Sequence, residues 1–169
     1  GSLYSWGKHQ TGQLGLGAAV GETVKVPTKV KGFENLPVKQ VVGGWEHTLA
    51  VTADGRLDSW GGGYENKAVC GHGVGGLLFT PRLVEALGEY EVVFAGSGWD
   101  HSMAITSEGF LFTWGDGSSG KLGHGNLMGV SVPKKVTGIT TGPNDPTLAK
   151  VVWCDGGESH SSAITQSGM

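Results

Sequence analysis

Three histidines stand in a setting that could do chemistry. His47 follows Trp45 and Glu46, His101 follows Trp99 and Asp100, and His160 follows Glu158 and Ser159. An imidazole beside a carboxylate is the usual material of general acid–base catalysis. A second candidate is GDGSSGKL, residues 115 to 122, which fits G-x-x-x-x-G-K and, through Gly115, Gly117 and Gly120, also G-x-G-x-x-G. Such loops cradle phosphate when a helix N-terminus comes directly after them.

Both candidates weaken once their recurrence is counted. Each histidine stands eight residues before a turn glycine: Gly55, Gly109 and Gly168. Catalysis rarely needs one residue in every unit of an array, whereas architecture does. A histidine at a strand start can donate to a neighbouring unit's carbonyl and tie the units together. One shared metal is not expected, because its ligands must converge to about 2.1 Å from a single ion. The glycine loop recurs as GKHQTGQL from Gly7, with Gln13 where the other copy has Lys121. The segment LGHGNLMG, residues 122 to 129, is too glycine-rich to be the helix that a phosphate loop requires. The spacing belongs to the repeat, and no nucleotide, cofactor or metal site and no catalytic residue is assigned.

The repeat itself organises the chain. GSLYSWG, GRLDSWG and GFLFTWG begin at Gly1, Gly55 and Gly109, and Gly168 begins a further copy, giving steps of 54, 54 and 59 residues. The matching strands HTLAVT, HSMAIT and HSSAIT precede the later glycines. VPTKV, TPRLV and VPKKV recur in turn, as do GQLGLG from Gly12, GKLGHG from Gly120 and, less well, CGHGVG from Cys70. Repeats of this period mean solenoids or propellers. Leu49 and Val51 alternate with Ala50 and Thr52, the period of a strand. Ala-Asp-Gly and Ser-Glu-Gly supply turns in which glycine takes a positive φ. The returning strands end on Trp6, Trp60 and Trp114. Each unit is thus expected to be an antiparallel sheet of four strands, the size of one propeller blade. The extra length of the last step is assigned to TTGPNDPTL, residues 140 to 148, read as an irregular loop.

Composition agrees and narrows the function. The 169 residues include 32 glycines and six tryptophans, with 16% charged residues and a net charge of −3. That balance lacks the basic footprint of direct nucleic-acid binding. Two cysteines fit neither a disulfide framework nor a four-ligand zinc site, and no apolar run is long enough to span a bilayer. An intracellular protein, cytoplasmic or nuclear, is expected.

Gly-X-His-Thr, the strand, Asp-Gly, Leu-Tyr-Ser-Trp-Gly and Gly-Gln-Leu-Gly-Leu-Gly, in that order, resemble the repeats of the regulator of chromosome condensation family. The resemblance covers essentially the whole chain and implies an all-β propeller of seven blades, of which this chain carries about three. A single array of residues 1–169 is expected, with units near 1–54, 55–108 and 109–167. Within the family, Gly-Trp-X-His-Thr is similar to the ultraviolet-B receptor branch, where arginines partner the tryptophans. Here X is Glu46 or Asp100, so the carried-over cationic partners are absent.

The leading functional expectation is a non-enzymatic protein-interaction module. It meets its partner through Trp45, Glu46, Trp99 and Asp100 on one rim. The resemblance also implies guanine-nucleotide exchange on a Ran-type small GTPase, or light-sensitive oligomerisation. Lys25, Lys29, Lys31 and Lys39, with Lys134 and Lys135, are read as a solvated outer strand kept from pairing by its charges. Asp58 stands where Tyr4 and Phe112 stand in the other units. The chain ends suggest head-to-tail self-association, because GSLYSWG is a returning strand and HSSAITQSGM an outgoing one.

Overall fold

The computed structural model describes residues 1–63, 65, 67–142 and 145–166. Among them, fourteen strands run in chain order: β1 (Tyr4–Lys8), β2 (Thr23–Lys29), β3 (Val38–Gly43), β4 (His47–Thr52), β5 (Leu57–Gly61), β6 (Leu78–Leu83), β7 (Val92–Ser97), β8 (His101–Thr106), β9 (Leu111–Gly115), β10 (Val130–Lys135), β11 (Thr140–Gly142), β12 (Asp145–Leu148), β13 (Val151–Gly156) and β14 (Ser161–Thr165). Two four-stranded antiparallel sheets form the centre, β3-β4-β5-β6 and β7-β8-β9-β10. The pairs β1-β2 and β13-β14 flank them, so the chain is a partial β-propeller.

The sheets straddle the sequence units. Each turn glycine lies between the second and third strand of a sheet, so a sheet takes two strands from one unit and two from the next. Three units therefore give two whole sheets and two half-sheets rather than three whole ones. Gly55 (φ +83°) and Gly109 (φ +86°) adopt the left-handed turn conformation, which glycine enters without a Cβ penalty. Their carbonyls accept from Val92 and Val151, tying each hairpin to the first strand of the next sheet. Gly168 lies outside the described residues.

Neighbouring sheets bury apolar faces against each other. Leu49, Val51 and Leu57 of the first whole sheet pack with Val92, Ala95, Ala104, Phe112 and Trp114 of the second. Met103, Ile105 and Leu111 then pack with Val136, Val151 and Cys154. On the other side Ala50 and Trp60 meet Leu3, Val30 and Phe33. Gln40 of β3 adds a polar tie, its side-chain amide exchanging two hydrogen bonds with the backbone of Ala95 at 2.9 and 3.0 Å.

One expectation is corrected. Residues 140 to 148 are not an irregular loop: Thr140 pairs with Leu148 and Gly142 with Asp145 in a hairpin. Threonine and leucine support strand pairing here, and β12 pairs on one side only, where a proline lacking an N–H is tolerated; Pro143 and Asn144 lie outside the described residues. Lys25 and Lys29 on β2, Lys39 on β3, and Lys134 and Lys135 on β10 all lie on end strands of their sheets.

Candidate functional site: the histidine seams and the tryptophan rim

The seam between sheets is built on histidine, but its partner is a hydroxyl rather than the expected carbonyl. His47 is buried, with Nε2 2.9 Å from Ser102 Oγ and 3.2 Å from Ser97 Oγ, both on the next sheet. Ser102 gives its own proton to the Val69 carbonyl at 2.7 Å. It therefore accepts from His47 Nε2–H, which assigns the tautomer. His101 repeats the arrangement on Ser161 (2.8 Å), whose hydroxyl donates to the Lys121 carbonyl (2.7 Å). Nδ1 of both rings is buried without a partner among the described residues. Burial holds the His47 imidazole down to about 3. Burial, aided by the Lys121 ammonium, holds His101 down to about 4. Both rings are neutral near pH 7 and, enclosed within the seam, have no approach to a substrate.

The glycines before these histidines have a direct reason. A Cβ on Gly44 would overlap Cε1 of His47, and one on Gly98 would overlap Cε1 of His101. Each imidazole lies on a bare backbone. His160 is exposed, since no described sheet lies on its far side.

The returning tryptophans form the second tie. Trp60 and Trp114 are fully buried and donate Nε1–H to the carbonyls of Gln13 (3.0 Å) and Val69 (2.8 Å). Trp6, the third of the set, is 59% exposed. The loops receiving them correct one alignment. Ser5, Ser59 and Thr113 donate to Leu14, Cys70 and Leu122 respectively. The equivalent of GQLGLG is therefore residues 68 to 73, AVCGHG, two residues earlier than Cys70. His72 and His124 complete this bond network through Ser59 (2.9 Å) and Thr113 (3.0 Å). Residues 118 to 120 of the phosphate-loop lookalike form a single 3-10 turn.

Trp45, Glu46, Trp99 and Asp100 come together on the loops β3–β4 and β7–β8. The Trp45 and Trp99 rings are 4.3 Å apart and inclined at 38°. Trp45 N–H donates to the Trp99 carbonyl (3.3 Å), and Trp99 N–H to that of Gly157 (3.2 Å). The acids of the rim have lysines beside them. Lys8 pairs with Glu46 at 3.2 Å, and Lys67 lies 3.5 Å from both Asp100 and Asp116. Lys121 pairs with Asp116 at 2.6 Å. Burial by itself would raise the Asp116 carboxyl, but hydrogen bonds and charge from Lys121, with Ser118 and Lys67, hold it down to about 2. A cleft of about 400 Å³ runs beside the tryptophans, lined also by Lys67, Lys121, Asp116 and Glu158.

Sequence reasoning missed Lys67, Lys121 and Asp116 as neighbours of this rim, whereas Glu158 stands at the position of Trp45 and Trp99 in the third unit. Lys67 had a readable signal: it lies in a loop two residues longer than its counterparts, just before the realigned AVCGHG. Asp116 and Lys121 reach the rim from the β9–β10 loop, which spacing within one repeat cannot reveal.

A family model described as "Regulator of chromosome condensation (RCC1) repeat" matches residues 1–51 and 108–164, and a second of the same description matches 38–66 and 92–121. The "Ultraviolet-B receptor UVR8" of Arabidopsis thaliana is 34% identical over 168 residues, covering 99% of this chain and 36% of the receptor. The "E3 ubiquitin-protein ligase HERC2" of Homo sapiens is 34% identical over 172 residues, 99% of this chain and 3% of the ligase. The crystal structure of Prp20p from Saccharomyces cerevisiae superposes with a TM-score of 0.81 at 22% identity, over 96% of this chain and 39% of that one. The last likeness concerns the fold alone. The chain spans little more than a third of the receptor and a small part of the ligase.

Proposed function

Since the chain belongs to the regulator of chromosome condensation repeat family, a frame that presents loops on a ring of sheets, we propose that it is a non-enzymatic protein-interaction module. Its docking surface is the rim of Trp45, Glu46, Trp99 and Asp100. The observation that carries this reading is the Trp45–Trp99 stack, with Trp45 59% exposed at the mouth of a charged cleft. A stacked pair of large rings, Trp45 exposed and Trp99 half-buried, fixed by backbone bonds and flanked by ion pairs, is poised to bury apolar area without reorganisation. Tryptophan is enriched among residues that dominate interface energies.

The test is a double substitution, Trp45→Ala with Trp99→Ala. Neither indole belongs to the inter-sheet cores, so circular dichroism and the melting transition should stay close to wild type. Capture of binding proteins by the immobilised chain should fall at least tenfold, because such residues cost over ~2 kcal/mol each. Undiminished capture by a folded double variant refutes the assignment.

A small GTPase is the specific candidate partner. The yeast Prp20p structure is described together with that protein's binding properties to Gsp1p and histones. Exchange activity of this chain would appear as accelerated nucleotide release from a small GTPase in a purified mixture, and an unchanged release rate across a panel rejects it.

A further inference from the structure

The loop between β9 and β10 carries two large apolar side chains at its tip. Leu127 and Met128 stand side by side there, 68% and 71% exposed. The turn that holds them is formed by Asn126, whose Oδ1 accepts the Met128 N–H at 2.9 Å and whose amide donates to the His124 carbonyl at 3.4 Å. Nothing in the repeat asks for this pair. Gly61 faces Leu78 as Gly115 faces Val130, so Val74 to Leu77 of the β5–β6 loop are the counterparts of Asn126 to Gly129. The second unit thus places Gly75 and Gly76 where the third places Leu127 and Met128. The β5–β6 loop also runs beside a complete sheet, its Gly73 N–H bonded to the Ser131 carbonyl of β10 at 2.9 Å. Even so, a Cβ on Gly76 would meet nothing within 4 Å. The openness at the tip belongs to the tip itself.

This tip is continuous with the tryptophan rim. A Cβ on Gly117 would overlap the Met128 carbonyl, and one on Gly129 would come within 3.9 Å of Asp116 Cα. Asp116 and Ser118 in turn line the cleft beside Trp45 and Trp99. The indoles alone make too small an interface. Two aromatic side chains bury at most about 300–500 Å², against roughly 800 Å² from each partner in a standard complex. Methionine, like tryptophan, is enriched where proteins meet. Charge then selects the kind of partner. Residues 122–133 contain no Asp, Glu, Lys or Arg, and Lys121 just before them is buried and paired with Asp116. A loop that enters a bilayer draws on basic residues beside anionic lipid, and this tip has none.

Resting on the interaction reading above, we propose that Leu127 and Met128 are the second anchor of the docking surface. They enter an apolar pocket on a folded protein partner, and the same partner covers Trp45 and Trp99. A convex tip needs a concavity, and only folded structure walls one. Asp116, held by Lys67 and Lys121, lies between the two anchors as a fixed polar divider. The turn at Asn126 presets the tip, so little ordering is lost when it docks.

Photocrosslinking followed by titration tests this on the whole chain. A photoreactive residue at position 128 should form an adduct with a protein that the same probe at position 26, exposed on β2, does not capture. The absence of any such adduct overturns the proposal. The adduct's protein is then purified and titrated against wild type, Leu127→Ser with Met128→Ser, and Trp45→Ala with Trp99→Ala. Both double variants should keep the wild-type melting transition, because none of the four side chains belongs to an inter-sheet core. Each should bind at least tenfold more weakly, for the apolar burial that it forfeits. Weakening by the tryptophan variant alone leaves the rim reading standing and overturns the second anchor. Weakening by the tip variant alone puts the tip on a different surface and overturns the shared footprint. Vesicles of phosphatidylcholine and phosphatidylserine should leave the chain in solution. Co-sedimentation with them that the Leu127→Ser, Met128→Ser variant abolishes assigns the tip to a membrane instead and overturns the proposal.

Discussion

Acidification should weaken the fold through the seam histidines well before it reaches the ion-paired Asp116 carboxylate. The His47 ring is held down to about 3 by burial, against about 6.5 in an unfolded chain. Above pH 6.5 the ring is neutral in both states and its contribution is complete. Between the two values the unfolded chain binds a proton that the folded chain refuses, so stability falls as pH falls. At pH 5 the gap is about 1.5 pH units, or about 2 kcal/mol from this one residue. That is a large share of a typical total of about 5–15 kcal/mol. His101, also held down by burial, adds a loss of the same sign. Asp116, held down by Lys121, loses its contribution only as pH falls from about 4 toward 2, below the window of interest. Urea titration followed by tryptophan fluorescence at pH 7.5, 6 and 5 reads the effect. His47→Gln should be less stable than wild type at pH 7.5, because the bond to Ser102 is disturbed. Its loss between pH 7.5 and 5 should be smaller by about 2 kcal/mol. If wild type and His47→Gln lose the same amount over that range, the seam does not hold a neutral histidine and its role in acid sensitivity is refuted.

Three further outcomes are expected. Gly98→Ala must displace the His101 ring that lies on it and should cost about 1–3 kcal/mol in urea unfolding. Asp58 is half-buried, and burial raises its carboxyl pKa; Asp58→Asn should therefore raise the melting midpoint at pH 7, with the gain shrinking as pH falls into the carboxylate range. Burial pushes the Cys70 and Cys154 thiols up to about 12, so a thiol reagent at pH 8 should label both slowly in the native protein and rapidly in urea.

The local hairpins were legible because their determinants are local. β4 and β8 span His47–Thr52 and His101–Thr106, and β5 and β9 begin at Leu57 and Leu111, as alternation and the turn glycines indicate. The sheet boundaries were not, since a repeat can be cut at any phase, and the turn glycine falls mid-sheet. The loop at residues 68 to 73 was misaligned because glycines two apart fit either register; only the carbonyl accepting from Ser59 distinguishes them. In the hairpin of residues 140 to 148, the Gly-Pro and Asp-Pro pairs outweighed strand formers on either side. On the rim, the four residues named from the pattern share one surface, but the lysines that pair with the acids come from β1 and from loops before β6 and β10. Nothing in the structure explains why Asp58 replaces an aromatic residue.

The ladder of main-chain bonds along the rim separates holding from presenting. Trp45 N–H reaches the Trp99 carbonyl and Trp99 N–H reaches that of Gly157, so each loop is pinned by atoms that every residue except proline possesses. The third position already carries Glu158 in place of tryptophan. Side chains at 45, 99 and 158 are thus interchangeable lettering on a fixed frame. On the reading of the rim proposed above, diversifying these three sites alone changes what it recognises while leaving the scaffold's folding determinants, the histidines and the buried indoles, untouched.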